Sequence, residues 1–294
     1  MWVVVYLPLA FAACVAAAAA LCAGPVSPRL ATWMTVGAGV AAATSSVWAL
    51  ALLSAGFVER GVRVEEFSRL GAKVVPHTVS VVALVLLVIG GLRVVAACVR
   101  HWPLYRKASQ ASRADEPELI VVPIDEPVAF AWSAGGGRIV VSRGMLRRLN
   151  AAERRVLFAH ERSHLRNHHH RFQLVADLCA GANPLLNRLR SDVEFTLERW
   201  ADEDAAFEVN DRRLAARALA RAATVSTDRH HRGHAGRLGF ERYGVARRVA
   251  ALLVDPRPRS VRATAATVAL GGFGLLALAG ATMATLDLIR ITGH

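Results

Sequence analysis

The chain has 294 residues, of which 54% are hydrophobic, and it carries a formal net charge of +13. A chain that is both apolar and strongly basic is typical of a membrane protein whose charged residues lie outside the lipid, and not of one or two soluble domains. The basic residues are nearly all arginines, scattered along the chain without interleaved aromatics, so direct binding of nucleic acid is not expected. The four cysteines show no C-x-x-C spacing, which supports neither a disulfide framework nor a thiolate metal site.

Four segments of low charge are each long enough to cross a hydrocarbon core of ~30 Å as a helix that rises ~1.5 Å per residue. They cover about residues 1–23, 31–57, 74–98 and 263–286. We therefore predict three transmembrane helices within residues 1–99 and a fourth helix that is followed by a short tail, residues 287–294. A cleaved signal peptide is the alternative for the first segment, but the basic start of such peptides is missing. Arg93, inside the third segment, is expected to extend to the membrane interface.

Residues 100–118 are charged and show no apolar periodicity, so we predict a linker that leaves the membrane. Three short β-prone runs follow at residues 119–123, 128–132 and 138–142, with a glycine turn at residues 135–137. These runs predict a small sheet that opens a domain spanning residues 119–262.

Two histidines lie four residues apart just after the sheet, in the motif H-E-x-x-H formed by His160, Glu161 and His164. Asn150 and Glu153 form a capping-box pattern, which predicts a helix that begins before the motif. One helical turn brings both imidazoles onto one face, where they can bind a single Zn²⁺, and Glu161 can then deprotonate the water on that metal. The alternative is a solvated helix with two unrelated histidines.

A zinc site of this kind needs a third ligand, and two acidic residues downstream are candidates. Glu198 and Asp202 lie four residues apart in a predicted helix that starts at Asn183-Pro184, a typical N-cap followed by proline at the first helical position. Glu198 would complete a His₂Glu site and leave the fourth position to water. Asp202 would accept the outer N–H of a ligating histidine and so fix its tautomer.

The histidine run at residues 168–170 allows a second interpretation of the third ligand. His170 has the spacing of the third histidine in H-E-x-x-H-x-x-G-x-x-H, but Asn167 stands where that class of site has glycine, so Glu198 is preferred. We expect the first helix to continue through this run to residue 174. The donor that stabilises an oxyanion is not identified by sequence, and the candidates are His168, His231 and Arg248.

Basic residues flank the predicted domain on both sides. Arg100 and Arg106 precede it, and Arg257 and Arg259 follow it, so the positive-inside rule predicts a cytoplasmic domain with both termini outside. The basic connection at residues 59–73 would then face the outside and argues against this topology.

The layout and the motifs resemble the BlaR/MecR family of membrane zinc metallopeptidases, of the gluzincin type. The resemblance rests on His160-Glu161-x-x-His164, on Glu198-x-x-Ala201-Asp202 and on Asn183-Pro184-Leu185. HtpX and the CAAX prenyl endoproteases are similar more distantly. The resemblance implies a mainly α membrane protein with four transmembrane helices and a zincin-like α+β metallopeptidase domain, residues 119–262, inserted between helices 3 and 4. It also implies that His160, His164 and Glu198 bind zinc, that Glu161 is the general base, and that Asp202 supports a ligand.

The activity implied by this resemblance is that of an integral-membrane zinc endopeptidase that hydrolyses peptide bonds on the cytoplasmic side. The expected partners are a protein or peptide substrate and the lipid bilayer. Regulated cleavage of a DNA-binding repressor is the first hypothesis, and HtpX-like quality control of membrane proteins is the second. The third is a non-catalytic, metal-binding signal-relay protein. The chain ends soon after the fourth predicted span, so the sensor domain of the antibiotic receptors is not expected. A strand beside a peptidase site commonly receives the substrate as an added strand, although the sheet can also be purely structural.

Overall fold

The computed structural model describes residue 14 and residues 27–60, 77–110, 118–133, 137–227 and 235–254. This part of the chain is mainly helical and contains a small sheet, as the sequence predicts. The helices and strands are α1 (Pro28–Arg60), α2 (His77–Gln110), β1 (Leu119–Val122), β2 (Ala129–Trp132), β3 (Arg138–Ser142), α3 (Arg143–Arg148), α4 (Ala151–Arg166), α5 (His169–Ala182), a 3₁₀ turn (Pro184–Leu186), α6 (Asn187–Val209), α7 (Arg212–Thr227) and α8 (Ala235–Leu253). The predicted spans 1–23 and 263–286 lie outside the described residues, except for Cys14, and so does the predicted tail 287–294.

Two helices correspond to the second and third predicted spans. The segments Pro28–Ser54 of α1 and His77–Trp102 of α2 are long and apolar enough to cross a membrane. Much of the surface of α2 is apolar and exposed, including Val85, Leu92 and Val99, as expected for a helix that faces lipid. Helix α2 continues to Gln110, so the first part of the predicted linker 100–118 is helical.

The guanidinium of Arg93 contacts the end of α5 and the start of α6. Its Nη2 lies 3.2 Å from the carbonyl oxygen of Ala180 and 3.1 Å from Oδ1 of Asn187. The last carbonyl groups of α5 have no partner within their own helix, and a guanidinium satisfies them well. The end of a neighbouring helix therefore supplies hydrogen-bond acceptors to Arg93, which the sequence did not indicate. The extension of Arg93 to the membrane interface stays a prediction.

Helices α5 and α6 form a hairpin that packs against α1 and α2. At its tip the Asn183 amide donates to Oγ of Ser46 over 3.0 Å. Near its other end, Oγ1 of Thr32 in α1 donates to Oγ1 of Thr196 in α6, also over 3.0 Å. Apolar side chains fill the space between these two contacts: Val36, Ala42 and Ala43 of α1 share one core with Leu186, Leu189, Val193 and Leu197. Helix α6 is thus held along most of its first half by the candidate membrane helix α1.

The sheet has the strand order β1-β3-β2, with β1 parallel and β2 antiparallel to the central strand β3. Ile139 and Val141 of the central strand β3 are buried. Oγ of Ser142 accepts from the Met145 N–H and caps α3 directly after β3. A Cβ atom at Gly144 would lie 1.9 Å from the carbonyl oxygen of Asp125, so only glycine fits at this junction.

Helix α4 ends earlier than the sequence predicts. It stops at Arg166, and His168 adopts a left-handed conformation with φ 51° before α5 begins at His169. The Asn167 amide donates to the Ser163 carbonyl over 3.1 Å and to Oδ2 of Asp204 over 2.8 Å. These bonds satisfy the end of α4 and replace the next helical turn, so the expected helix through residue 174 is wrong.

The capping box at the start of α4 has both of its hydrogen bonds. The Glu153 N–H donates to Oδ1 of Asn150 over 2.9 Å, and the Asn150 N–H donates to Oε2 of Glu153 over 2.8 Å. The start of the helix that carries His160 is therefore set by local hydrogen bonds.

We expect Asn150→Ala to lower the free energy of unfolding by about 1 kcal/mol, because it leaves a backbone N–H at the helix start without its acceptor. Thermal unfolding of the full chain in detergent would show this as a lower Tm. Arg155→Ala, at an exposed position of the same helix, is the control and should leave the Tm unchanged. Equal Tm values for the two variants would show that the cap does not contribute.

Candidate metal centre

Three side chains from two helices converge on one point. Nε2 of His160 lies 3.1 Å from Nε2 of His164, and each of these nitrogens lies 3.5 Å from an oxygen of Glu198. Bonds of about 2.0–2.1 Å to a tetrahedral zinc ion place neighbouring donor atoms about 3.3 Å apart. His160 faces Oε2 of this carboxylate and His164 faces Oε1. The two nitrogens and the carboxylate of Glu198 are therefore spaced like three ligands of a zinc site.

Asp202 lies behind His160, on the side away from this triangle. Its Oδ1 is 3.1 Å from Nδ1 of His160, and the carboxylate is almost fully buried, with 5% of its side chain exposed. A carboxylate in this position accepts the Nδ1 proton and leaves Nε2 free to bind a metal. One turn of α6 therefore brings both Glu198 and Asp202 to the same histidine.

Arg248 of α8 holds the two carboxylates in place. Its Nε and Nη2 each donate to Asp202 over 2.7 Å, and its Nη1 lies 2.8 Å from Oε2 of Glu198. Burial alone would raise the pKa of Glu198, but the charges of Arg248 and His160 lower it well below its usual range. The same balance lowers the pKa of Asp202. Both groups are consequently carboxylates, the form that can bind a metal or orient a histidine.

The two histidines have opposite pKa shifts. Burial lowers the pKa of both, and for His164 it dominates and brings the pKa to about 4. For His160, the hydrogen bonds with Asp202 and Glu198 overcome the burial and raise the pKa to about 10. With no metal bound, His160 is the charged member of the pair and His164 is neutral.

Glu161 lies beside the triangle on the wall of a cavity of about 340 Å³, which His160, Glu198, Asp202 and Arg248 also line. Its side chain is buried, which raises its pKa, while nearby positive charge and a hydrogen bond from the backbone of Ala131 lower it. A carboxyl group in this setting suits proton transfer, because it is neither fully solvated nor fixed by a salt bridge.

His169 is part of the site, although the sequence did not single it out. Its Nδ1 lies 2.9 Å from Nδ1 of His164, and its ring packs on Trp200 with 4.8 Å between the ring centroids. For His164 to bind a metal through Nε2, its Nδ1 must carry the proton, so His169 must be the acceptor. Sequence reasoning missed His169 because it predicted an unbroken helix, in which His169 would point away from His164. The turn at residues 167–168 brings the His169 ring next to the His164 ring.

The other sequence candidates have different positions. Among the described residues, the cluster that could hold a metal is His160, His164 and Glu198, and it does not include His170. His168 lies in the turn and contacts the ring of His170. Of the three oxyanion candidates, Arg248 borders the site, whereas His231 lies outside the described residues.

We expect His169→Phe to weaken zinc binding by roughly 10–100-fold, because the ring still packs on Trp200 but can no longer accept the His164 proton. Competition with a chromophoric chelator measures this affinity on the purified full chain. His170→Phe is the matched control, since His170 is the next residue of the same helix and lies outside the cluster. Equal affinities for the two variants would exclude His169 as the group that orients His164.

Zinc binding should release about one proton per ion near pH 7.5, because the metal needs the neutral imidazole of His160, whose pKa is about 10. His164 contributes no proton, since it is already neutral. Titration calorimetry in two buffers of different ionisation enthalpy gives the number of protons released. Asp202→Asn removes a partner that raises the pKa and should reduce this number. Identical heats in both buffers would contradict the predicted charge of His160.

Comparison with known proteins gives partial matches. Residues 103–231 match Peptidase family M48. A protease HtpX homolog from Pyrococcus abyssi (strain GE5 / Orsay) is 36% identical over 88 residues, which are 29% of this chain and 30% of the relative. A protease HtpX homolog from Thermococcus sibiricus (strain DSM 12597 / MM 739) is 32% identical over 89 residues, which are 30% of each chain. The matched part thus spans about a third of the length of these curated relatives, and no solved structure matches. Residues 103–231, which contain all of the clustered residues except Arg248, are therefore similar to peptidase family M48, a family of zinc metallopeptidases.

Proposed function

We propose that this protein is a membrane zinc endopeptidase. The observation that carries the proposal is the triangle of His160, His164 and Glu198, which fits a zinc ion. Two of its members, His160 and Glu198, line the same cavity as the buried carboxyl group of Glu161. In this proposal the three residues bind zinc, Glu161 is the general base, and Asp202 orients His160. The match of residues 103–231 to a metallopeptidase family supports the same assignment.

The residues of the chain carry out the proton transfers of the reaction. A zinc ion held by His160, His164 and Glu198 would supply Lewis acidity, which would lower the pKa of water toward ~7 and polarise a carbonyl oxygen. Glu161 takes one proton from the attacking water as the oxygen–carbon bond forms at the peptide carbonyl. It then passes this proton to the amine nitrogen as the carbon–nitrogen bond breaks. Its burial supports this role, because a raised pKa allows a carboxyl group to accept and return a proton near neutral pH.

One edge of β2 pairs with no other strand in the part of the chain that the structure describes, and this edge suits an extended peptide. The Ser142 N–H donates to the Val128 carbonyl across the β2–β3 pair, so Val128 faces β3 and the next residue, Ala129, faces away from it. The backbone of Ala131 also faces away from β3, and it forms a hydrogen bond with Glu161. A substrate that adds as a strand along this edge would bring its peptide bonds past Glu161, and main-chain hydrogen bonds would hold it without regard to its sequence.

The packing of α1 places the site near one end of a candidate membrane helix. Thr32, in the first turns of α1, bonds Thr196, which lies two residues before Glu198 in α6. If α1 crosses the membrane, the site lies close to the membrane surface. The arginines that flank the domain favour the cytoplasmic side, as the positive-inside rule predicts.

Two physiological roles are compatible with this site. The relatives with partial identity carry the name of the HtpX protease, which favours an HtpX-like role in the turnover of membrane proteins. The second role is regulated cleavage of a DNA-binding repressor, as expected from the BlaR/MecR resemblance. It is supported by the predicted layout of the membrane spans and by the sequence motifs. A non-catalytic relay is the least compatible hypothesis, because it has no need of a buried carboxyl group beside the metal ligands.

The decisive experiment compares new protein N-termini by mass spectrometry in host cells that express the wild type or Glu161→Gln. Glu161→Gln should retain zinc and lose cleavage almost completely, because glutamine has a similar shape but cannot accept the proton. Unimpaired cleavage by this variant, measured with equal zinc content, would contradict the mechanism.

The identity of the peptides that depend on Glu161 distinguishes the two roles. One or two sites in a small DNA-binding protein would establish regulated proteolysis and remove the quality-control hypothesis. Many sites spread over membrane proteins would establish the reverse.

A further inference from the structure

The hairpin of α5 and α6 lies against the middle of both candidate membrane helices. Its tip is the 3₁₀ turn Pro184–Leu186. On α1 the tip contacts Ser46, whose Oγ accepts from the Asn183 amide over 3.0 Å. On α2 it contacts Gly90, where an added Cβ atom would lie 2.8 Å from the carbonyl oxygen of Ala182. Ser46 and Gly90 both lie inside the apolar segments of their helices.

Two exposed tryptophans mark the same end of these apolar segments. Trp33 lies near the start of α1, and Trp102 ends the apolar segment of α2. The ring of Trp33 packs on Phe172 of α5, with 4.9 Å between the ring centroids. His101, next to Trp102, lies 2.8 Å from Asp177 of the same helix. Because tryptophan is enriched where a membrane meets water, this level is the expected boundary of the lipid.

The two helices give the same depth for the tip of the hairpin. Ser46 follows Trp33 by 13 positions, and Gly90 precedes Trp102 by 12 positions. At ~1.5 Å per residue these separations are about 20 Å and 18 Å. A hydrocarbon core is ~30 Å thick, so the tip lies near the middle of a bilayer that α1 and α2 cross.

The backbone of the tip is suited to a medium without water. The N–H groups of Leu185 and Leu186 both donate to Asn183, one to its Oδ1 and one to its carbonyl oxygen, over 3.0 Å each. Pro184 has no N–H, and the N–H groups of the residues on either side of the turn donate to carbonyl groups of the chain. Hydrocarbon offers no partner to a free N–H, so only a backbone that satisfies itself is tolerated there.

The charged side chains around the hairpin also have partners. Arg93, at the depth of the tip, donates to the carbonyl oxygen of Ala180 and to Oδ1 of Asn187. Asp177 lies closer to the boundary, and its Oδ1 is 2.7 Å from Nε of Arg190. Ionisable groups at membrane depth are tolerated when they pair with one another or with backbone carbonyls, and these contacts meet that requirement.

The exposed surface at the tip is apolar. Leu185 is 54% exposed and follows Pro184, which is also exposed. At the same depth, α2 exposes Val88 and Ile89. The nearest exposed charge of the hairpin is Arg188, which lies on the side of the tip toward the boundary, and a long arginine side chain can extend further in that direction.

We propose that the tip of the α5–α6 hairpin is embedded in the bilayer, where the acyl chains of lipids cover Leu185. The hairpin enters beside α1 and α2 and returns to the side from which it came. This inference rests on the proposed crossing of the membrane by α1 and α2. It goes further because α6, which carries the proposed zinc ligand Glu198, would then begin inside the lipid.

The test uses a spin label on Leu185→Cys in the full chain, with the native cysteines replaced, in phosphatidylcholine vesicles. Val88→Cys is the control at the same depth of α2, and Phe207→Cys, near the other end of α6, is the exposed control outside the proposed membrane segments. Electron paramagnetic resonance measures the collisions of each label with oxygen, which concentrates in lipid, and with a water-soluble nickel chelate. We expect the oxygen-to-nickel ratio at Leu185 to be at least about tenfold higher than at Phe207 and within about twofold of that at Val88, because the chelate does not enter hydrocarbon.

The three labels separate this inference from the proposed function. Nickel access at Leu185 together with a lipid signal at Val88 would overturn the embedded hairpin and leave a membrane protein. Nickel access at both positions would overturn the crossing of α2 and, with it, the proposed membrane peptidase. Low access of both oxygen and nickel at Leu185 would show that protein covers the tip, and would also overturn the inference.

A pair of variants of matched shape tests the same point without a label. Leu185→Asp should have a lower Tm in vesicles than Leu185→Asn, because a carboxylate in hydrocarbon loses more hydration than an amide. In water the order would be reversed or absent, since an acidic residue just before α6 interacts favourably with the helix dipole. A Tm of Leu185→Asp equal to or above that of Leu185→Asn would therefore contradict the embedded tip.

Discussion

The structure depends on a buried group of charges that joins three helices. Arg248 of α8 binds Asp202 and Glu198 of α6, and these carboxylates contact His160 of α4. Charges removed from water are tolerated only when they are paired and hydrogen-bonded, and the loss of one partner from such a group costs about 3–5 kcal/mol. The helices can therefore pack only in the arrangement that brings His160 to Glu198. The same electrostatic requirement defines both the fold of this region and the geometry of the metal centre.

Helix α6 connects this charged group to the candidate membrane helices. Its first half packs on α1 through Leu189 and Val193, and its second half carries Glu198 and Asp202. Trp200 lies in this second half, between Glu198 and Asp202 in the sequence. The guanidinium of Arg29 lies 5.5 Å from the centroid of its ring, and the ring of His169 packs on it. Since His169 also contacts His164, the surroundings of a proposed zinc ligand include the first turns of α1. The site and the candidate membrane helices thus form one packed unit.

Two departures from local expectation have the same origin. Arg93 lies within an apolar helix, and its guanidinium donates to the carbonyl oxygen of Ala180 in the last turn of α5. Asn167 and His168 follow a helix of regular periodicity, yet Asn167 bonds Ser163 and Asp204, and the chain turns. In both cases a residue of a neighbouring helix supplies a hydrogen-bond partner that the local sequence pattern does not indicate.

The sequence by itself determined the local features of this protein. The spacing of His160 and His164, the pair Glu198 and Asp202 and the capping box depend on residues within one helical turn, and such patterns survive in any tertiary arrangement. Only the tertiary structure decided that Glu198 meets His160, that Arg248 pairs with Asp202 across 46 positions of sequence, and that His169 lies behind His164. These contacts follow from helix packing and from one turn at the end of α4. No periodicity within a single helix encodes them.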